Sequence, residues 1–200
     1  MVELPDWFDP DRDAMLGPTA LRGLVHPIRL RLLELLQQDG PATASGLGRE
    51  IGQSSGVTSY HLRVLAEHGF VTDDAERGTG RDRYLKAVYR TTSFTFRLPE
   101  DPGTPETVDD ASLFMRLVAE AAHRRVLDYV DSFASRQDEL AQLPWGTDEY
   151  PVRLTLAEAR ALRTRIAELV MAFRREQGDP DPRRDTTRAW VQVQFLPDER

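Results

Sequence analysis

The 200-residue sequence predicts an α+β fold that is mainly helical. Several stretches repeat apolar residues at the spacing of amphipathic helices, and two of these stretches are long. Short segments in which apolar and polar residues alternate lie among them, as expected for strands. We therefore expect an N-terminal domain of short helices with a β-hairpin. A domain of two long helices and a small antiparallel sheet should follow it.

The composition is typical of a soluble globular protein, with 40% apolar and 30% charged residues. No apolar run approaches the roughly 18 residues that a membrane span needs, and the N-terminal "MVELPDWFDPDRD" is acidic where a signal peptide would be basic. We therefore expect a cytoplasmic protein with no membrane partner. The absence of cysteine excludes disulfides, thiolate metal sites and a cysteine nucleophile.

The net charge of −7 is unevenly distributed along the chain. Residues 18–90 contain ten basic and eight acidic residues, a net charge of +2, which leaves −9 for the remainder. Such an asymmetry bears on the partners of a protein rather than on its fold.

The sequence divides into three parts. Residues 1–17 are polar and contain proline and glycine, which predicts a flexible arm. Residues 18–90 hold the short helices and the hairpin. Residues 91–200 form the C-terminal domain, which begins with a strand and the proline-rich segment "LPEDPGTPET".

Capping residues predict the helix boundaries within residues 18–90. A proline fits the first turn of "PIRLRLLELLQQ", whose leucines recur at helical spacing. Thr43 is expected to cap a short helix that ends at Gly52, and Ser54 or Ser55 should cap a third helix that ends before Gly69. "FVTDD" and "RYLKAVYR" then predict two strands, joined by the charged, glycine-containing turn "AERGTGRD".

Two long amphipathic helices dominate the predicted C-terminal domain. The first spans roughly residues 108–139, and the second follows Thr155 and Glu158, which have the spacing of a capping box. Three alternating segments are expected to pair into one small sheet: 92–98, 150–154 and 189–196. Helices packed over that sheet could enclose an apolar site, so a small organic effector is a further hypothesis.

The segment "SSGVTSYHLRVLAEHGFV" at residues 54–71 has two dissimilar helical faces. The apolar face is expected to pack on the preceding helices and consists of Val57, Thr58, His61, Leu62, Val64 and Leu65. The other face is small and polar and consists of Ser55, Gly56, Ser59, Tyr60 and Arg63. A helix with so little bulk at its N-terminal end can lie deep in the major groove of DNA. Its hydroxyls, its arginine and its positive helix end suit phosphates and base edges.

Three stretches of residues 19–90 together resemble the winged-helix domain of the ArsR-type transcriptional repressors: "LVHPIRLRLLELL", "SSGVTSYHLRVLAEHGFV" and "RGTGRDRYLKA". The resemblance implies a dimeric regulator that contacts DNA through its recognition helix and its wing. We expect contacts from Ser54, Ser55, Gly56, Ser59, Tyr60, Arg63, Arg77, Arg81 and Arg83. The family's metal sensors carry thiolates where this chain has "ASGLGREIG", so neither a metal nor a cofactor is expected.

These features favour sequence-specific binding of double-stranded DNA by a homodimeric transcriptional regulator, most often a repressor in such proteins. The alternative is a winged-helix module that binds other proteins, because residues 18–90 carry a net charge of only +2. An enzyme is not expected, since Ser59 and His61 point apart on their helix and no nucleophile elbow or phosphate-binding glycine loop is present. The homodimer is expected to bury the apolar stripe of residues 113–133, which includes Phe114 and Val118.

Overall fold

The computed structural model of the protein describes residues 13–15, 18–77, 83–89, 91–93, 105–135, 146, 148–176 and 189–196. It confirms the α+β, mainly helical fold. The chain divides into two compact units, one of Pro10–Val126 and one of Met1–Asp9 with Leu127–Arg200. The domain limits drawn from the sequence, at residues 17 and 90, stay predictions.

The first unit contains nearly all of the described elements. In chain order they are β1 (Asp13–Met15), α1 (Pro18–Leu24), α2 (Pro27–Asp39), β2 (Ala42–Thr43), α3 (Ala44–Glu50), α4 (Ser55–Glu67), β3 (Val71–Asp73), β4 (Tyr84–Ala87), β5 (Thr91–Ser93) and α5 (Pro105–Asp131). The boundary between the two units falls inside α5.

Two small sheets accompany these helices. β3 and β4 form the predicted antiparallel hairpin, with Val71 opposite Ala87, and β2 pairs with the other edge of β4 to give the order β2-β4-β3. β1 and β5 pair in parallel, with Asp13 opposite Thr91. The arm predicted at residues 1–17 therefore includes a strand, because Asp13–Met15 finds a partner that lies far away in the sequence.

Side-chain caps start three of the helices of the first unit. The imidazole Nδ1 of His26 accepts a hydrogen bond from the backbone N–H of Ile28 and so caps α2. Thr43 Oγ1 accepts from Gly46 N at 3.1 Å, and Ser54 Oγ accepts from Val57 N at 3.3 Å. The predicted caps of α3 and α4 are thus confirmed, with Ser54 rather than Ser55 as the cap of α4.

One hydrophobic core holds the first unit together. Its buried residues come from α1 to α5 and from the hairpin: Leu21, Leu24, Leu32, Leu33, Leu35, Leu36, Leu47, Leu62, Leu65, Phe70, Val71, Leu85, Ala111 and Phe114. Each fully buried leucine or phenylalanine contributes about 1.5 to 3 kcal/mol to stability. The contacts between the helices α1, α2 and α4 are therefore strong enough to set the orientation of α4.

Helix α5 belongs to this core, which corrects the expected position of the dimer interface. Phe114 is only 6% exposed and Val118 packs against the same cluster. Two ion pairs add to this contact: Arg22 Nε lies 2.8 Å from Asp110 Oδ2, and Arg125 lies 2.9 Å from Glu34 Oε1. The expectation that Phe114 faces a partner subunit is therefore wrong, because Phe114 is buried in its own chain, while the homodimer stays a prediction. A charge at Phe114 would disrupt the core of its own chain.

The second unit contains the end of α5, a 3₁₀ turn (Ser132–Ser135) and the helix α6 (Leu156–Glu176). The capping box at the start of α6 is confirmed: Thr155 Oγ1 accepts from Glu158 N, and Thr155 N donates to Glu158 Oε2. At the end of α5, the rings of Tyr129 and Phe133 meet edge to face at 5.3 Å.

The small C-terminal sheet predicted from the sequence does not form in the described residues. Residues 150–154 and 189–196 have no strand structure, and their apolar side chains are exposed. Of the third segment, residues 92 and 93 pair with β1 instead, while residues 94–98 lie outside the described residues. Alternation predicts which side chains share a face, but a strand also needs a partner for its backbone groups.

Gly48 controls how closely α3 approaches the start of α4. A Cβ atom at this position would lie 2.8 Å from the backbone oxygen of Gln53 and 3.0 Å from Thr58 Oγ1. We expect Gly48→Ala to lower the free energy of unfolding by about 1 to 3 kcal/mol in urea denaturation, because rigid backbone must shift. Gly56→Ala is the matched control, since a Cβ there meets nothing within 4 Å. Equal stabilities for the two variants would contradict this role of Gly48.

Candidate nucleic-acid interface

The helices α3 and α4 form a helix–turn–helix in which α4 presents a small polar face. This polar face consists of six exposed residues: Ser54, Ser55, Gly56, Ser59, Tyr60 and Arg63. It begins at the N-terminus of α4, where the helix dipole is positive and where the cap leaves other backbone N–H groups available. In the first turn of α4 this face consists of Ser55 and Gly56, whose side chains are small and project little from the helix axis.

The opposite face of α4 is anchored in the core. Thr58 and Leu65 are 0% exposed, Leu62 is 2% exposed, and Thr58 Oγ1 donates a hydrogen bond to Ser54 O at 3.0 Å. The packing face predicted from helical periodicity is therefore present, with Val57 as an exception. Val57 is 39% exposed and borders the polar face, so it is a candidate contact that the periodicity argument missed. Its methyl groups are of the kind that contact thymine methyls.

Beneath the polar face, two histidines and an arginine meet where α1, α2 and α4 join. The ring centroids of His26 and His61 are 4.3 Å apart, and His61 is only 7% exposed. Arg29 donates from one nitrogen to the carbonyl oxygens of Arg22 and Val25, each at 3.1 Å, and so ties α2 to the end of α1. His61 Nδ1 and Arg29 Nε are buried without a hydrogen-bond partner among the described residues.

This cluster disfavours additional positive charge. Burial lowers the pKa of His61 below its ordinary value, and the neighbouring His26 and Arg29 lower it further. Burial, followed by the charge of Arg29, also lowers the pKa of His26. Both imidazoles are therefore held in the neutral form, and His26 needs that form because its Nδ1 accepts the capping hydrogen bond.

The wing is the hairpin formed by β3, β4 and the residues between them. Of its three predicted contact residues, Arg77 and Arg83 are exposed, and Arg81 lies outside the described residues. Both described arginines are paired with aspartates of the wing. Arg83 donates to Asp73 through two nitrogens, at 2.5 and 2.9 Å, and Arg77 Nε lies 3.8 Å from Asp74 Oδ2.

The two aspartates differ in their surroundings. Asp73 is exposed, and its hydrogen bonds from Arg83 hold the pKa of its carboxyl below the usual value. Asp74 is 5% exposed, and its other carboxylate oxygen lies 3.6 Å from Lys86 Nζ. Its backbone N–H also donates to Tyr84 O at 2.9 Å, so Asp74 is built into the base of the wing.

A cleft of about 340 Å³ lies between the polar face and the wing. Its floor is apolar, with Leu62 and Leu85 at its base. Residues of α3, α4 and the wing line it: Ala44, Ser59, Leu62, Arg63, Ala66, Arg83 and Leu85. The structure thus brings Arg63 of the helix and Arg83 of the wing, which are distant in sequence, to the borders of one surface depression.

The described residues contain neither a cluster of metal ligands nor a membrane-spanning helix. Within them, no group of three or more histidine or carboxylate side chains converges as a metal site would require. None of the helices described combines the length and the apolar character needed to cross a lipid bilayer.

Comparison with known proteins relates one part of the chain to a family. Residues 24–74, which include the helix–turn–helix, match the family model described as "Helix-turn-helix domain". No curated protein matches the chain. A solved structure described as "Structure of Disulfide formed AbfR" is 16% identical and covers 57% of this chain and 71% of its own. Its TM-score of 0.28 is too low to relate the two folds.

The histidine cluster makes stability dependent on pH. Because the folded-state pKa of His26 and His61 lies below that of the unfolded chain, the unfolded chain binds protons first as the pH falls. The contribution of the two neutral histidines to the stability of the fold is complete above about pH 7, and it is lost as the pH falls below the ordinary imidazole pKa of about 6.5. We expect the free energy of unfolding to decrease by at most about 1.4 kcal/mol per histidine and pH unit in this range.

Urea denaturation at a series of pH values measures this effect. His61→Leu should flatten the profile, because it removes a buried titrating group, whereas His123→Gln changes an exposed imidazole on α5 and should leave the profile as in wild type. Parallel profiles for wild type and His61→Leu would rule out the cluster as the cause.

Proposed function

We propose that the protein is a transcriptional regulator that binds double-stranded DNA sequence-specifically as a homodimer and acts as a repressor. The observation that carries this proposal is the polar face of α4. A helix in the major groove must lie close to base edges and still offer hydrogen-bond donors and acceptors. Ser55, Gly56 and Ser59 keep that face small, while Arg63 has no hydrogen bond or ion pair among the described residues and is available to a base or phosphate.

The match of residues 24–74 to a helix–turn–helix family model supports the same function. In such domains the N-terminal part of the second helix contacts base edges, and that part of α4 is the one with the least bulk and the positive helix end. Tyr60, which is 57% exposed, adds a phenol that can donate to a phosphate or a base.

A second candidate function is a winged-helix module that binds another protein. The observation in its favour is the charge of the wing, where Arg77, Arg83 and Lys86 are each paired with an aspartate. Salt dependence distinguishes the two functions, because DNA binding releases counterions and weakens steeply as the salt concentration rises.

The readout by Arg63 can be tested on the duplex that the wild-type protein selects from a random library. Arg63→Ala should weaken binding to this duplex by about 1 to 3 kcal/mol and bind a mixed-sequence duplex nearly as well as wild type, if the guanidinium contacts a base edge. Fluorescence anisotropy at several salt concentrations measures both affinities. Arg116→Ala, an exposed arginine on α5, controls for the loss of one positive charge.

If Arg63→Ala and Arg116→Ala bind the selected duplex alike, the assigned docking of α4 is wrong. If the wild-type protein selects no sequence and shows no salt-dependent binding to any duplex, the proposed function is wrong. The alternative, a winged-helix module that binds another protein, is then favoured.

The homodimer can be tested separately by sedimentation velocity at micromolar concentration. One polar face offers too few contacts for the specific affinities of about 10⁻⁸ to 10⁻¹¹ M, and a two-fold dimer doubles them on a pseudo-palindromic site. We expect a mass of twice 22.7 kDa and protection of two half-sites about one helical turn apart in a footprint. A monomer of 22.7 kDa that binds the selected duplex tightly would refute the dimer.

A further inference from the structure

The wing contains its own counterions. Asp73 and Asp74 are consecutive, so their side chains leave the strand in opposite directions, one toward solvent and one toward the core. Together they pair with all three cations of the described residues 71–77 and 83–89: Arg77, Arg83 and Lys86. A hairpin expected to approach a polyanion therefore has no unpaired positive side chain within those residues.

The two aspartates cannot have the same role. Asp74 is 5% exposed and is held by the cations on either side and by its backbone bonds, so its removal would disturb the hairpin. Asp73 and Arg83 have side chains that are 55% and 76% exposed, so an incoming anion can reach both. An exposed ion pair of this kind is weak and can exchange partners.

The geometry of the exposed pair matters for what else Arg83 can bind. Asp73 occupies the Nε and one terminal nitrogen of the guanidinium, with one carboxylate oxygen on each. These two N–H groups form the edge that grips two oxygens of a carboxylate or a phosphate side by side. While the pair is formed, a phosphate must therefore displace Asp73 to obtain the same bidentate contact.

Arg83 is also placed where a DNA backbone would pass. It lines the cleft beside α4 together with Ser59 and Arg63, which belong to the polar face. A strand whose bases meet the polar face would run its phosphates along this cleft, within reach of the wing.

From these contacts we propose that Asp73 competes with a DNA phosphate for the guanidinium of Arg83 and thereby lowers the affinity of the wing for DNA. The inference rests on the proposed function. Asp73 is then an affinity-setting residue that touches no DNA itself: binding transfers Arg83 from an internal carboxylate to a phosphodiester, and Asp73 is left beside the phosphate as a repelling charge. Both effects weaken specific and non-specific binding alike, since neither involves a base.

The test replaces Asp73 by the neutral isostere and uses a labelled mixed-sequence duplex as the probe. Asp73→Asn should bind this duplex about two- to fivefold more tightly than wild type at low salt, because the competing ion pair is lost. The logarithmic salt slope should become steeper by about one, since the contact of Arg83 with its phosphate is no longer offset by the uncovered charge of Asp73. Asp109→Asn, an exposed aspartate on α5 of the same unit, makes the same change in net charge and should bind as wild type does.

A second background separates competition for Arg83 from a change in the fold. In Arg83→Ala protein, the Asp73→Asn substitution should raise affinity less than it does in wild type, because no guanidinium remains to be released. Thermal melting of each variant establishes that it is folded before affinities are compared.

The possible results decide between distinct conclusions. Weaker binding by folded Asp73→Asn would overturn the proposal and mean that Asp73 holds Arg83 in its binding position. Equal gains for Asp73→Asn and Asp109→Asn, or a gain that persists undiminished in Arg83→Ala, would also overturn it, because the effect would then be one of net charge. If the wild-type protein binds no duplex, the proposed function fails; if it binds and Asp73→Asn matches it, only this inference fails.

Discussion

The exposure of the polar face depends on how closely α3 can pack against the first turn of α4. Gly48 permits that contact, since a Cβ at this position would collide with the backbone of Gln53. Thr58 then fits beneath the turn with no exposed surface and returns a hydrogen bond to Ser54 O. With one side of α4 fixed in this way, helical geometry leaves Ser55, Ser59 and Arg63 pointing to solvent. The candidate DNA-binding surface is therefore a consequence of a packing constraint on its reverse side.

A second layer beneath α4 is polar where the rest of the core is aliphatic. His26 caps α2 and stacks against His61 of α4, while Arg29 holds the carbonyl end of α1. Three helices thus meet at a junction that contains two imidazoles, and protonation of these imidazoles lowers the stability of the folded state. Partly satisfied polar networks of this kind tolerate few substitutions, because each member compensates the desolvation of another. His61 places this junction on the core side of α4, opposite the polar face.

The sequence predicted the helix caps and the packing face of α4 because the relevant signals are local. Caps such as Thr43, Ser54 and the Thr155–Glu158 box involve atoms within three or four residues, and the packing face of α4 follows from helical periodicity. Predictions failed where the partner of a segment is distant. Residues 150–154 have the alternation of a strand without pairing among the described residues, and Phe114 was assigned to a subunit interface although it belongs to its own core.

The same reasoning explains which parts of the candidate site could not be predicted. The sequence shows three arginines and several aspartates in and around the wing, but not that Arg83 and Asp73 form a two-nitrogen contact across the hairpin. That contact depends on the register that sets Asp73 opposite Leu85. Likewise, Arg63 and Arg83 border one cleft only because the wing folds back beside α4.

The charge distribution implies that α4 and the wing differ in the positive charge that they offer to DNA. The chain carries a net charge of −7, whereas residues 18–90 carry +2, so a positive potential toward DNA is local to this part of the chain. Within the described part of the wing the cations are neutralised by Asp73 and Asp74, whereas the N-terminus of α4 and Arg63 are not. In the proposed complex with DNA, the polar face of α4 would therefore supply the unpaired donors and the positive helix end, whereas the described cations of the wing would first have to leave their aspartates.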